Sequence, residues 1–405
     1  MIVPLSRPDI SNLEIEYVTR VLRSGQLSLG PCVAEFEEKF AALVGARHAV
    51  AVNSGTSALH LAVRALDIGP GDEILTTSFS FVASANCALF EGARPVFLDI
   101  DPDTLNLDLR ELRLFLRNSC TFDRRTGITI DLRTGSRVRA ILPVHVFGLP
   151  CEMDSLLALA RDFNLCVIED ACEALAATYR EQPVGTFGDL GVFAFYGNKQ
   201  ITTGEGGMIV TNNADLADLC RSLRNQGRDS SSDWLRHVRL GYNYRLSDIH
   251  AALGLAQLER IGHLLDARAS VARLYQQFLA NHPLLRLPVI RPKCVRSWFV
   301  FPIQLRATAD LPNPQFRDFV LAELRKHGIA CQSYFPAIHR QPYFENGRFG
   351  LQPHLPHTDE ASHSCLALPL FSTLTPDQIR NVCDNLFDIL QSVVSRVALL
   401  HTAAS

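Results

Sequence analysis

The stretch "YGNKQITTGEGG", Tyr196–Gly207, sets one lysine among small, polar and glycine residues. Lysine is normally a solvated surface charge. Lys199 instead follows the aromatic-rich run "LGVFAFYG" and precedes Thr202, Thr203 and a glycine-rich turn that keeps side chains out of its way. In a confined site desolvation disfavours the ammonium form, and the freed amine can attack a carbonyl. Read alone, the stretch allows a surface charge, a phosphate clamp or a covalent catalyst. The surrounding chain narrows the choice.

Working outward, "LGVFAFYG" and "GGMIVTN" predict a strand pair flanking the lysine. Upstream, the short apolar runs "HAVAV" (His48–Val52), "DEILTT", "PVFLDI", "VRAILPVHVFG" and "LCVIED" alternate with helical patterns, one of them from about Asp154 to Phe163. That alternation predicts an α/β fold, a mostly parallel central sheet with helices on both faces. Two Thr-Gly turns around "ITIDL" predict a hairpin inserted at about 119–138, a surface excursion.

From about Arg260 the character changes. A long helical pattern, "IHAALGLAQLERIGHLLDARASVARLYQQFLAN", leads into the strand "WFVFPIQL". A helix capped by Asn313, a strand-like "ACQSYF" and a short strand "CLALPL" follow. Thr375 and Pro376 then supply a cap and first position for a last helix. The expected organisation is a large α/β domain over 1–259 and a smaller α+β domain over 260–405.

Two further motifs bear on chemistry. In "VNSGTSALHL" a strand ends and Ser54, Gly55, Thr56 and Ser57 open a helix. Free N–H groups and the helix dipole favour an anion there, although an ordinary capped helix would read the same way. The spacing fits neither a Walker A loop nor G-x-G-x-x-G. In "VIEDACEA", Asp170 ends a buried strand, where open α/β sheets place ligand contacts. A carboxylate there needs a cationic partner, either an arginine or a protonated ring nitrogen. A phosphate site, a ring-nitrogen carboxylate and a Schiff-base lysine, in that order, are the parts that hold pyridoxal phosphate (PLP).

Composition excludes other classes. At 405 residues and net charge −3 the basic residues are scattered, so neither nucleic acid nor a membrane is an expected partner. No apolar run approaches a membrane span, and "MIVPLSRPDISNLEIEYV" lacks the pattern of a secretory signal. The 11 cysteines are dispersed with no C-x-x-C pair, which predicts reduced thiols in a cytoplasmic protein. Five histidines between His327 and His363 lack ligand partners at suitable spacing, so no metal is expected.

Taken together, "SGQLSLGPCVAEFEEKFA", "AVNSGTSALHLA", "SFSFVASANCALFEGARPVFLDID", "PVHVFGLPCEMD", "VIEDACEALAA", "GNKQITTGEGGMIVTN", "LRNQGR", "GYNYRLSDIHAALGLAQLERI" and "SYFPAIHRQPYF" resemble the DegT/DnrJ/EryC1/StrS sugar aminotransferases. That family lies within the fold-type I, aspartate aminotransferase-like PLP enzymes. The resemblance runs nearly end to end, with the hairpin outside its usual core.

It implies that Lys199 is the Schiff-base lysine and Asp170 the partner of the pyridine nitrogen. Gly55, Thr56 and Ser57 become the phosphate cradle, Phe81 the aromatic stacked on the ring, and Asn243 a phosphate contact reaching in from the partner subunit of a homodimer. His339, Arg245 and Tyr334 fall in segments that approach the sugar nucleotide. Two positions depart from the common pattern: Ala194 replaces a frequent serine, and Glu173 stands near the ring oxygen where glutamine or histidine is common. Lys199 itself separates the chain from dehydratase relatives, which carry histidine there. The implied reaction moves an amino group, usually from L-glutamate, to a nucleotide-linked 3- or 4-keto-deoxysugar. A fold-type I lyase or decarboxylase, and a PLP-binding regulator without turnover, are the alternatives.

Overall fold

The computed structural model describes residues 2–228, 235–306, 313–345, 347, 349 and 352–404, with side chains of the last helix described through 393. Its strands are β1 (His48–Val52), β2 (Asp72–Thr77), β3 (Arg94–Leu98), β4 (Cys120–Asp123), β5 (Ile128–Asp131), β6 (Arg137–Leu142), β7 (Cys166–Asp170), β8 (Thr178–Tyr179), β9 (Gln182–Pro183), β10 (Leu190–Ala194), β11 (Gly207–Thr211), β12 (Leu285–Arg286), β13 (Cys294–Val295), β14 (Phe301–Leu305) and β15 (Cys365–Leu368). The main sheet runs β1-β11-β10-β7-β6-β2-β3. Along this run, neighbours from β10 to β3 are parallel and β11 runs antiparallel to both β1 and β10.

Alternation along the strands feeds two apolar cores. Ala49, Ala51, Leu75, Ile141, Val167, Phe193 and Met208 face one core, with Phe36 and Phe40 of the helix Pro31–Val44. Val50, Val52, Ile74, Leu142, Ile168, Val192 and Ile209 face the other, against the helix Gly55–Ala65. A sheet buried on both faces has no solvated side, which is why its strands read as near-continuous apolar runs.

β11 puts the functional ends of the sheet together. Because β1 and β10 are each antiparallel to β11, they are parallel to each other. Val52 and Ala194, near or at their carboxyl ends, both pair with Gly207. Asp170, at the end of β7, lies one strand further along, near Val192. A side chain at Gly207 could not fit, since its Cβ would lie 2.4 Å from the Ser54 carbonyl oxygen.

Several expectations change. The hairpin β4–β5 is more than a surface excursion. β5 pairs with the start of β6, Thr129 Oγ1 donates to Phe163 O at 2.6 Å, and Asp131 is fully buried against Arg133. The long helical pattern is two helices, Asp248–Glu259 and Ile261–Phe278, broken at Arg260. Asn313 does not cap its helix, which starts at Gln315 without a side-chain cap; Asn313 Nδ2 lies 3.5 Å from Leu305 O. "ACQSYF" forms only the single bridge Gln332–Ala367. Thr375 does cap the last helix, accepting from Gln378 N–H.

β12, β14 and β15 form a second sheet, whose core joins Tyr275, Phe301, Phe316 and Leu386. β8, β9 and β13 make a third, small sheet. Among the described residues no helix is long and apolar enough to cross a membrane.

Candidate active site

A cavity of about 620 Å³ opens at the carboxyl ends of β1, β7 and β10. Lys199, Asp170, Glu173, Gly55, Thr56, Phe81 and Tyr334 line it.

Lys199 comes from the loop between β10 and β11. Its N–H donates to Tyr196 O at 3.0 Å, and its carbonyl accepts from Arg268 Nη2 at 2.9 Å. The Nζ lies 3.9 Å from the centroid of the Phe299 ring and 3.7 Å from Glu173 Oε1. An aromatic face and a carboxylate thus hold the ammonium in a site that leaves the side chain only 13% exposed.

Asp170 is buried, with Ser84 donating to Oδ2 at 2.7 Å and the Cys172 N–H to Oδ1 at 3.1 Å. Among the described residues no arginine or lysine forms a salt bridge with it. A buried carboxylate satisfied only by neutral donors has capacity left for a cation. Glu173 is also buried; the Phe147 N–H donates to its Oε2 at 2.9 Å. Burial pushes its carboxyl above the usual carboxylate range, against the opposing pull of Lys199.

Ser54 caps the helix Gly55–Ala65, its Oγ accepting from Ser57 N–H at 3.1 Å. The first-turn N–H groups of Gly55 and Thr56 have no acceptor within the helix, and both residues border the cavity. A Cβ on Gly55 would lie 2.7 Å from the Ala194 Cβ, so the small residue at 194 packs directly behind the helix start. Phe81, 60% exposed, presents its ring at the cavity wall.

Other residues singled out in the sequence lie elsewhere. Ser57 completes the cap and does not line the cavity. Asn243 is exposed on the surface of the single chain. It is flanked by stacked Tyr242 and Tyr244, which bond to Glu91 at 2.6 Å and His60 at 3.0 Å. Arg245 borders a second cavity with Arg224, Arg228 and Arg239, and donates to Asn225 Oδ1 at 2.9 Å. His339 is buried, its Nδ1 2.8 Å from Ser78 Oγ, and lines a different, small pocket. Within one chain, Asn243, Arg245 and His339 therefore do not join the Lys199 cavity.

Sequence reasoning missed Ser84, Phe299 and Arg268. Ser84 lies three residues after Phe81, in the first turn of the helix Ala83–Phe90, a position that could have flagged it. Phe299 and Arg268 come from distant segments and carry no local signal.

A parallel α/β sheet whose strand ends gather a lysine, a buried aspartate and an open helix start defines an enzyme of the aspartate aminotransferase-like class. The chain belongs to the DegT/DnrJ/EryC1/StrS aminotransferase family, which it matches over residues 8–387. PLP-dependent sugar aminotransferases are among the members of this family. The spore coat polysaccharide biosynthesis protein SpsC of Bacillus subtilis is 35% identical over 400 residues, covering 96% of this chain and 97% of its own. GDP-perosamine synthase of Caulobacter vibrioides is 39% identical over 345 residues, 84% of this chain and 86% of its own. A Streptococcus pneumoniae protein solved in a PLP form has a TM-score of 0.86 at 25% identity, covering 97% of this chain and 100% of that one. The same protein has also been solved in a PMP form.

Proposed function

We propose that this enzyme uses PLP to transfer an amino group from L-glutamate to the keto carbon, C3 or C4, of a nucleotide-linked deoxysugar in amino-sugar biosynthesis. The observation that carries the reading is Asp170, buried with no cationic partner among the described residues and lining the same cavity as Lys199. A pyridine nitrogen is the cation that such a carboxylate would accept. The rest of the cavity fits the same group, with N–H donors at Gly55 and Thr56 for a phosphate and Phe81 for an aromatic face.

When bound, PLP supplies an electrophilic carbon and a ring that accepts electrons. Lys199 Nζ would supply the amine that holds the cofactor. As a free amine Lys199 Nζ would carry the proton that leaves the donor's α-carbon, as general base and then as general acid. Asp170 holds the proton on the ring nitrogen. Gly55 and Thr56 bind the phosphate, with Ser57 ordering their turn through the cap. Glu173 would lie towards the ring oxygen, and burial there raises its carboxyl pKa against the pull of Lys199. Phe81 covers the ring, and Tyr334 lines the wall for the sugar.

Asn243, exposed on the single chain, belongs in this reading to the neighbouring site of a cytoplasmic homodimer. Arg245 and His339 act from outside the cavity of their own chain. The domain division at 259/260 is part of the same proposal, supported by the separate apolar core built mainly from residues after Val271.

Absorbance tests the reading. L-glutamate added to the PLP-loaded enzyme is expected to convert the visible band to that of pyridoxamine phosphate. A band unchanged by every amino donor would overturn transamination. Lys199→Ala is expected to fold, and to lose both the band and turnover. Nucleotide-linked keto sugars, GDP-linked ones first given the synthase relative, then identify the acceptor.

A further inference from the structure

Beneath Lys199 lies a buried guanidinium. Arg268, on the helix Ile261–Phe278, is 4% exposed, and among the described residues no carboxylate forms a salt bridge with it. Burial lowers its pKa to about 10, against the opposing pull of the Asp9 carboxylate, so it stays charged at neutral pH. Its guanidinium donates to main-chain carbonyls: Lys199 O at 2.9 Å, Phe299 O at 3.4 Å and Trp298 O at 3.5 Å.

A buried guanidinium without a carboxylate is costly, and an apolar side chain would fill the space at lower cost. The carbonyls it binds suggest why it is there. One belongs to Lys199. Another belongs to Phe299, whose ring lies 3.9 Å from Lys199 Nζ. The two residues come from separate parts of the chain, the loop after β10 and the segment before β14. One rigid, planar group therefore fixes both ends of the lysine, its main chain directly and its amine through the Phe299 ring.

We propose that Arg268 is a positioning residue that aims Lys199 Nζ into the cavity by clamping the main chains of Lys199 and Phe299 to each other. The proposal rests on the reading of Lys199 as the amine that binds PLP.

The test follows the visible absorbance band as PLP is added to the apo enzyme, with thermal unfolding to confirm folding of each variant. Arg268→Met is expected to slow the growth of the band by about 10-fold or more, as a displaced nucleophile would. Arg268→Lys, which keeps a donor for the Lys199 carbonyl, is expected to recover most of that rate. Phe299→Leu leaves Arg268 and both carbonyls in place but removes the ring, and is expected to slow the band in the same direction. It carries the test if Arg268→Met does not fold. A wild-type rate in folded Arg268→Met, or in Phe299→Leu, overturns the proposal. Arg268→Lys as slow as Arg268→Met would also count against a clamp on the carbonyls. A band that still grows in Lys199→Ala overturns the underlying reading, and the proposal with it.

Discussion

At the scale of single residues, Glu173 shows how burial and charge compete. Its carboxyl is raised by desolvation, while Lys199 and the Phe147 N–H pull the other way. A carboxyl raised by folding binds more protons in the native state than in the unfolded one. Its contribution to stability is therefore full below the ordinary carboxylate range of about 4 and is lost as pH rises through the raised value. Glu173→Gln cannot ionise. Without cofactor it is expected to be more stable than wild type at pH 7, with the gain shrinking towards about pH 4; thermal midpoints at the two pH values check this. Ser84→Ala removes a 2.7 Å bond to a buried carboxylate and is expected to cost about 2 kcal/mol, read from denaturant midpoints. Lys199 and Asp170 were legible as residues of one cavity because each lies at or just beyond the end of a recognisable strand. Ser84, Phe299 and Arg268 were not, because a serine, a phenylalanine or an arginine gains its meaning here from what it touches.

The strands were legible as elements, since a sheet buried on both faces leaves short apolar runs in the sequence. Their ends were the harder matter. β11 brings the ends of β1 and β10 to one place, and that meeting requires a residue without a side chain at Gly207. Gly207→Ala is expected to destabilise the protein by about 3 kcal/mol, because a Cβ would strike the Ser54 main chain, which cannot yield without moving the helix start. Differential scanning calorimetry would measure it, and weaker phosphate binding should accompany it. The hairpin β4–β5 was visible as two strands and a turn. Its attachment was not, because the pairing of β5 with β6 and the burial of Asp131 depend on a neighbour that local pattern does not name. The break at Arg260 was hidden for a similar reason: both helices around it keep good helix-forming composition.

At the scale of the whole molecule, Asn243 lies outside the cavity of its own chain. If it serves a neighbouring subunit, subunits with different defects should complement each other. Lys199→Ala and Asn243→Ala, each impaired alone, are expected to regain about one quarter of wild-type sites when refolded together in equal amounts, because half the dimers are mixed and each mixed dimer has one intact site. Activity of the mixture no higher than that of Asn243→Ala alone would show that the site is not shared. By itself the sequence determined the α/β class, the family, and the lysine and aspartate that line one cavity, since these depend on periodicity and residue type along the chain. Only the tertiary structure decided which strand ends meet, that Asp170 pairs with no arginine or lysine among the described residues, and that Arg268 and Phe299 stand behind Lys199 while His339 and Arg245 do not share its cavity. Those facts rest on contacts between segments far apart in the chain, and such contacts exist only once the chain has folded.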